Sequence, residues 1–172
     1  ACNIKTLGGN RHLISIIGGY YADQDSTDTQ PDFYGLTLIS ILARDFNIPI
    51  DHILIDLNYI TISKTRIIAH NQHVVRLDEE FIDSFEETNE ELITKILMSV
   101  QEILERNKIK CIIISDYMKK TLSTSVIINT IKYAQAANIP VVVDSKRPNW
   151  EIFSGATIIT PNKQELISVQ TN

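Results

Sequence analysis

The 172-residue chain lacks any run of about 18 apolar residues, the length a bilayer-spanning helix needs. Its longest apolar stretches, such as Leu13–Ile17 and Val141–Val143, have the length of strands. The opening ACNIKTLGGN has no charged region followed by an apolar one, so it does not read as a signal peptide. It does not begin with Met either, which suggests a processed or truncated start. Cysteine is scarce: Cys2 and Cys111 are the only two, with no C-x-x-C spacing. Cys111 lies in an apolar run and is expected to be a buried, reduced thiol, which fits a reducing, cytoplasmic compartment. Basic residues are in the minority, 16 Lys and Arg against 21 Asp and Glu, for a net charge of −5. That balance argues against nucleic acid as the main partner, because phosphate backbones demand a basic face. The chain has no G-x-x-x-x-G-K-[ST] and no G-x-G-x-x-G, which excludes the P-loop and the Rossmann dinucleotide fingerprint. His12, His52, His70 and His73 show no helical metal spacing, so a histidine-based metal site is not expected.

What is present is an ordinary globular composition, 44% hydrophobic and 22% charged, at a length that suits one domain with a sizeable core. The apolar period changes along the chain. Residues 12–17 read as a buried strand ending at Gly18–Gly19, and 20–31 as an exposed polar loop. Residues 33–46 carry Phe33, Leu36, Ile39, Ile41, Leu42 and Phe46 at helical spacing, with Asp32 as N-cap after Pro31. The runs 60–70 and 73–79 are β-rich and joined at Asn71–Gln72, which predicts an antiparallel hairpin. Residues 83–106 hold a helix with positions 92, 93, 96, 97, 100, 103 and 104 on one face. From there strands and helices alternate: strand 110–116, helix 125–138, strand 139–145, strand 156–161, and a helix from 162. Fully apolar strands alternating with helices predict an α/β fold whose parallel sheet is covered on both faces.

Ligands of open parallel sheets bind beyond the carboxyl ends of the strands. Those ends carry Asp116–Tyr117, Asp144 with Ser145–Lys146–Arg147, and Asn162 with Glu165. Together they suggest a phosphate or anion site with a carboxylate for a divalent metal. Each also has a plain structural reading. Asn162 and Glu165 suit a helix cap and its capping-box partner, Asp144 a strand-end turn, Lys146–Arg147 solvated charge, and Asp116 a cap for the turn that follows.

At these residues the sequence resembles the ribokinase-like (PfkB) carbohydrate kinases, and within them the heptose 7-phosphate kinase domain of ADP-heptose synthases. The matching stretches are TISKTRIIAHNQHVVRLDEE (61–80), IIISDYMKK (112–120), VVVDSKRPNWEIFSGATIITPNKQEL (141–166) and the opening ACNIKTLGGN. The resemblance implies a mainly parallel sheet with helices on both faces and a small hairpin lid at about 60–79. It also implies that residues 1–172 form part of one kinase domain. The family's Gly-Gly-x-x-Asn motif and its G-A-G-D motif, which supplies the base and an anion hole, have no counterpart in this sequence. Met118 and Lys120 stand where the family has glycines, and 20–31 looks like an insertion beside a short turn.

Carried over to matching positions, Asn162 and Glu165 would organise Mg2+ and the phosphates of ATP, with Glu165 at the metal and Lys146 near phosphate. Asn71, Gln72 and Arg76 on the lid, with Asp116 and Tyr117 at the sheet edge, would face the sugar phosphate. The implied function is ATP-dependent phosphorylation of a sugar phosphate of the D-glycero-β-D-manno-heptose 7-phosphate type, in the cytoplasm, with a homodimer formed through the lid. Phosphoryl transfer depends on positioning and charge neutralisation, but no residue here is assigned as base. Asp116 and Asp144 are the only candidates, so the chain by itself is expected to be inactive. The competing expectation is a non-catalytic remnant that binds nucleotide or sugar phosphate.

Overall fold

A computed structural model describes residues 1–23, 27–80, 90–119 and 121–170. The chain divides into two compact units, 1–84 and 85–172.

The first unit opens with a short helix, α1 (Cys2–Thr6). A central strand β1 (Ser15–Tyr21) is flanked by β2 (Thr29–Pro31), which is antiparallel to it, and β3 (Ile53–Asp56), which is parallel. The expected strand 12–17 therefore starts later and runs straight through Gly18–Gly19. Glycine is required here by close approach, not by a turn. A Cβ on Gly18 would collide with the Asp32 carboxylate and the Tyr59 carbonyl. The expected loop 20–31 is corrected on the same grounds: Tyr20 and Tyr21 extend β1, and Thr29–Pro31 pairs back on it. Residues 24–26 of that stretch lie outside the described residues. Strand β3, which the sequence reading did not identify, supplies the parallel partner.

Asp32 caps α2 (Phe33–Ser40) as expected, its Oδ1 accepting from the Gly35 amide at 2.7 Å. Its Oδ2 accepts from the Thr61 amide at 2.9 Å, so one carboxylate ties the helix start to the segment leading into the hairpin. The helix continues as a π-helical turn over Ile41–Asp45. Leu42 in this turn is buried, whereas Phe33 and Leu36 on the preceding helix are exposed. The buried Arg11 closes the helix end by donating through Nη2 to the carbonyls of Phe46 and Asn47.

Strands β4 (Ser63–Ala69) and β5 (Gln72–Glu79) form a two-stranded antiparallel sheet that pairs with no other described strand. The turn is His70–Asn71, both at positive φ (50° and 60°), and Gln72 already belongs to β5. This corrects the expected Asn71–Gln72 connection. A two-residue turn with two left-handed positions favours Asn and tolerates His, whereas Gln is better placed in the strand. A bulge leaves Val74 unpaired between the Ile67–Val75 and Ile68–His73 pairs.

In the second unit, α3 (Glu90–Arg106) buries Leu92, Ile96, Val100 and Ile103, the predicted stripe. The part of the expected helix before residue 90 lies outside the described residues. Strands β6 (Ile112–Asp116), β7 (Val141–Ser145) and β8 (Ile158–Ile159) are parallel in that order. Helix α4 (Thr124–Ala136), capped by Ser123, covers one face. Ile114, Val141 and Val143 pack there with Ile127, Ile131, Ala134 and Phe153. Helix α5 (Lys163–Gln170) follows β8. One expectation is corrected. Cys111 is exposed, because it precedes β6, an edge strand among the described strands, and shares the parity of Ile113, which is 54% exposed. Ile158 on β8 is likewise open to solvent.

Candidate functional site

The carboxyl ends of β6 and β7 hold two layers of polar side chains. In the lower layer Asp116 is buried and fully engaged. Its Oδ2 accepts from Arg147 Nε (2.5 Å) and Ser145 Oγ (3.1 Å), and its Oδ1 from the Met118 amide (3.0 Å). Arg147 in turn reaches the Leu122 carbonyl and Thr124 Oγ1. This network fastens Met118, Leu122 and Thr124 to the end of β7. Arg147, read as solvated charge, is instead the partner of a buried carboxylate, and Asp116 is engaged within the chain. The signal in the sequence was the strand-end Asp116 itself, which demands a cation once buried.

The upper layer faces outward. Tyr117 donates its hydroxyl to Asp144 Oδ2 at 3.0 Å, and the Lys146 ammonium lies 5.1 Å from the centre of the Tyr117 ring. The Lys146 amide donates to the Asp116 carbonyl at 3.1 Å, extending the β6–β7 ladder by one step. The hydrogen bond to Asp144 and that residue's charge push the Tyr117 phenol above its ordinary value, and the charge of Glu165 adds to this. Met118 sits in the left-handed region at φ 57°, where the resembled family has glycine. The backbone bend is kept, and the Asp116 carboxylate holds it by accepting from the Met118 amide.

At the start of α5, Asn162 Oδ1 accepts from the Gln164 and Glu165 amides (2.9 and 3.0 Å). Glu165 accepts from the Asn162 amide at Oε2 (2.8 Å) and from its Nδ2 at Oε1 (2.6 Å). This is a reciprocal capping box. It fixes the carboxylate but leaves lone pairs on both oxygens. Among the described residues no group of three or more His, Cys, Asp or Glu could hold a metal. One fixed, hard carboxylate nevertheless fits Mg2+, which keeps several waters and draws remaining ligands from phosphates.

The hairpin gathers the other predicted residues. Asn71 forms the turn, Gln72 opens β5, and Arg76 lies mid-strand; all three are exposed. The register sorts the ribbon into two faces. One carries Thr65, Ile67, Val75 and Leu77. The other carries Lys64 opposite Asp78 and Arg66 opposite Arg76. Asp78 binds Arg76 Nε at 2.7 Å and Lys64 Nζ at 3.6 Å. Slight burial opposes ionisation of Asp78, but Arg76 first and Lys64 second hold its carboxyl below the usual value. Lys64 and Arg66 were missed in the sequence. Period-two spacing from one strand and register from the other would have placed them beside Arg76.

The structure thus brings Tyr117, Asp144, Lys146 and the charge of Glu165 together in one unit, above Asp116. It places Asn71, Gln72 and Arg76 together in the other.

No protein-family model matches the chain. Its sequence is similar to proteins named bifunctional protein HldE. The identity is 34% with that of Campylobacter jejuni subsp. doylei over 96% of this chain and 30% of that protein. It is 34% with that of Vibrio parahaemolyticus over 98% and 31%, and 30% with that of Azorhizobium caulinodans over 96% and 31%. The chain therefore spans about a third of the length of these curated relatives. In three dimensions it is similar to the crystal structure of a PfkB protein from Polaromonas sp. JS666. The TM-score is 0.55 at 12% identity, covering 99% of this chain and 49% of that one. The fold is thus the ribokinase-like α/β architecture that the sequence resemblance implied.

Proposed function

We propose that this chain, a PfkB-like relative of the bifunctional HldE proteins, forms part of a cytoplasmic, ATP-dependent sugar kinase. In this reading residues 1–172 belong to one kinase domain with the 60–79 hairpin as its lid. The acceptor is a sugar phosphate of the D-glycero-β-D-manno-heptose 7-phosphate type, in ADP-heptose precursor synthesis. The observation that carries the reading is the charged face of the hairpin. Arg66 stands directly across the ladder from Arg76, with Lys64 on the same face and Asp78 as the single carboxylate in register. Like charges directly opposite destabilise a ribbon. A phosphate between the two guanidinium groups relieves that repulsion and accepts paired N–H bonds from either one. Asn71 and Gln72 at the tip offer amide groups to sugar hydroxyls.

On the strand-end surface of the other unit, Lys146 supplies a cation for phosphate oxygens. Glu165, steadied by Asn162, supplies a carboxylate that would hold Mg2+. Bound there, Mg·ATP provides the phosphoryl donor and neutralises charge on its own phosphates. Tyr117 lies at the outer edge of this surface, and Asp116 supports it from beneath.

Calorimetric titration of the chain with heptose 7-phosphate tests this. Arg66→Ala and Arg76→Ala should each weaken binding about tenfold or more, the worth of a hydrogen bond to a charged group. Mg·ATP affinity should not change. Equal sugar-phosphate affinity in native and variant chains contradicts the reading. The homodimer belongs to the same proposal. The opposite hairpin face exposes Ile67, Val75 and Leu77, and Val74 and Ile60 are also exposed while Ile62 is half-buried. Apolar surface of this kind seeks cover. Sedimentation velocity should show a dimer that Val75→Lys dissociates; a native monomer at all concentrations contradicts it.

A further inference from the structure

Asp144 and Lys146 carry opposite charges two residues apart at the end of β7, yet among the described residues no ion pair joins them. Residues two apart at a strand end project to the same side, where their charges can meet. Here one side chain contacts both. The Tyr117 hydroxyl occupies Asp144 Oδ2 at 3.0 Å, and the Tyr117 ring takes the Lys146 ammonium at 5.1 Å from its centre. Tyr117 is itself held from behind. Its neighbour Asp116 is locked to Arg147 and Ser145, and the Lys146 amide is bonded to the Asp116 carbonyl.

We propose that Tyr117 is a positioning residue that keeps Lys146 apart from Asp144, so that the ammonium stays available to a phosphate oxyanion. This rests on the phosphate-binding reading given above and adds to it the device that prepares the lysine. The chemistry follows from both ends of the tyrosine. The phenol is a good donor to a carboxylate and remains protonated across the neutral range, since Asp144 raises its ionisation above the ordinary value. The ring face attracts a cation without neutralising it and without saturating its N–H donors. A carboxylate partner would offset the charge and take one or two of the three N–H donors, leaving Lys146 a weaker ligand for an incoming anion. In this role Tyr117 serves the lysine.

Calorimetric titration distinguishes the sources of the phosphate and separates this inference from the reading beneath it. The native chain is titrated with Mg·ATP and, separately, with heptose 7-phosphate. Tyr117→Phe frees Asp144 to capture Lys146. It should weaken binding of whichever ligand Lys146 serves by about threefold to tenfold, with the melting temperature unchanged. Tyr117→Leu, which also removes the ring, should weaken it further. Adding Asp144→Asn to Tyr117→Phe removes the competing charge and should restore most of the affinity. A merely structural tyrosine would give no such rescue. If neither Tyr117 variant changes the affinity for either ligand, or if Asp144→Asn rescues nothing, the positioning role is overturned while the phosphate-binding reading stands. If the native chain binds neither ligand, that reading is overturned and this inference with it.

Discussion

The Asp116–Arg147 pair and the β4–β5 hairpin use the same kinds of side chain to opposite ends. At the end of β6, the charged groups are consumed inside the fold. The carboxylate accepts from three donors and the guanidinium donates to a carboxylate, a carbonyl and a hydroxyl. On the hairpin, Lys64 and Arg76 share the Asp78 carboxylate while Arg66 stands across the ladder from Arg76, and every residue of β5 is exposed. Charge that has been matched internally builds structure. Charge left over on a ribbon face, at some cost in repulsion, is available to a ligand.

The sharpest way to break this contrast is to remove one arginine from each place. Arg147→Met strands the buried Asp116 carboxylate and should cost about 3–5 kcal/mol in urea unfolding. Arg66→Met should change stability by no more than about 0.5 kcal/mol, and in the favourable direction, because it ends the Arg66–Arg76 repulsion. Equal losses would dissolve the distinction.

Asp32 offers an intermediate case, a carboxylate with two backbone partners in the first unit. Burial raises its ionisation, and the Thr61 and Gly35 amides more than offset that, so its folded value lies below the ordinary 3.8. A depressed carboxyl stabilises above the unfolded value, and that contribution fades as pH falls through the folded one. Asp32→Asn should cost about 1–2 kcal/mol at pH 7, since its amide faces the Thr61 N–H. The gap between native and variant should close below about pH 4. A gap constant from pH 7 to pH 3 would contradict the role of the charge.

Much of this was readable beforehand. The parallel strands expected at 110–116 and 139–145, found at 112–116 and 141–145, the α3 stripe, the Asp32 cap and the existence of the hairpin all follow from period and punctuation. What was not readable depended on partners distant in sequence. Gly18 looks like a terminator until Asp32 and Tyr59 are seen against it. Ile53–Asp56 is too short to signal a strand without β1 beside it. Arg147 looks solvated until Asp116 is found buried. Cys111 looks buried until β6 is found at an edge. At the site, the spacing of Asn162 and Glu165 reads as a capping pair, the plainer of its two readings, and the structure has that cap, whereas Lys64 and Arg66 stand beside Arg76 only once register sets them there.

Smaller effects sharpen the contrast further. Met118 holds a left-handed conformation that costs an L-residue about 1–2 kcal/mol, and glycine gives part of that back as chain entropy. Met118→Gly should therefore raise stability by about 0.5–1 kcal/mol in thermal unfolding; a loss would mean that the side chain is needed for packing. Glu165→Gln keeps one capping bond from Asn162 and loses the other, because its NH2 meets a donor there; at this exposed cap it should cost no more than about 1 kcal/mol. It should raise the Mg2+ concentration needed for ATP binding, because a hard cation requires the carboxylate charge. Unchanged Mg2+ dependence would leave Glu165 only its cap.

The most direct measurement of the central claim follows the guanidinium Nε–H signals by nuclear magnetic resonance while heptose 7-phosphate is added. The Arg66 and Arg76 signals should move together and saturate at one ligand per chain, while that of Arg147, already bonded to Asp116, should stay fixed. Stationary Arg66 and Arg76 signals under conditions where the sugar phosphate binds would contradict the assignment of the hairpin face as its site.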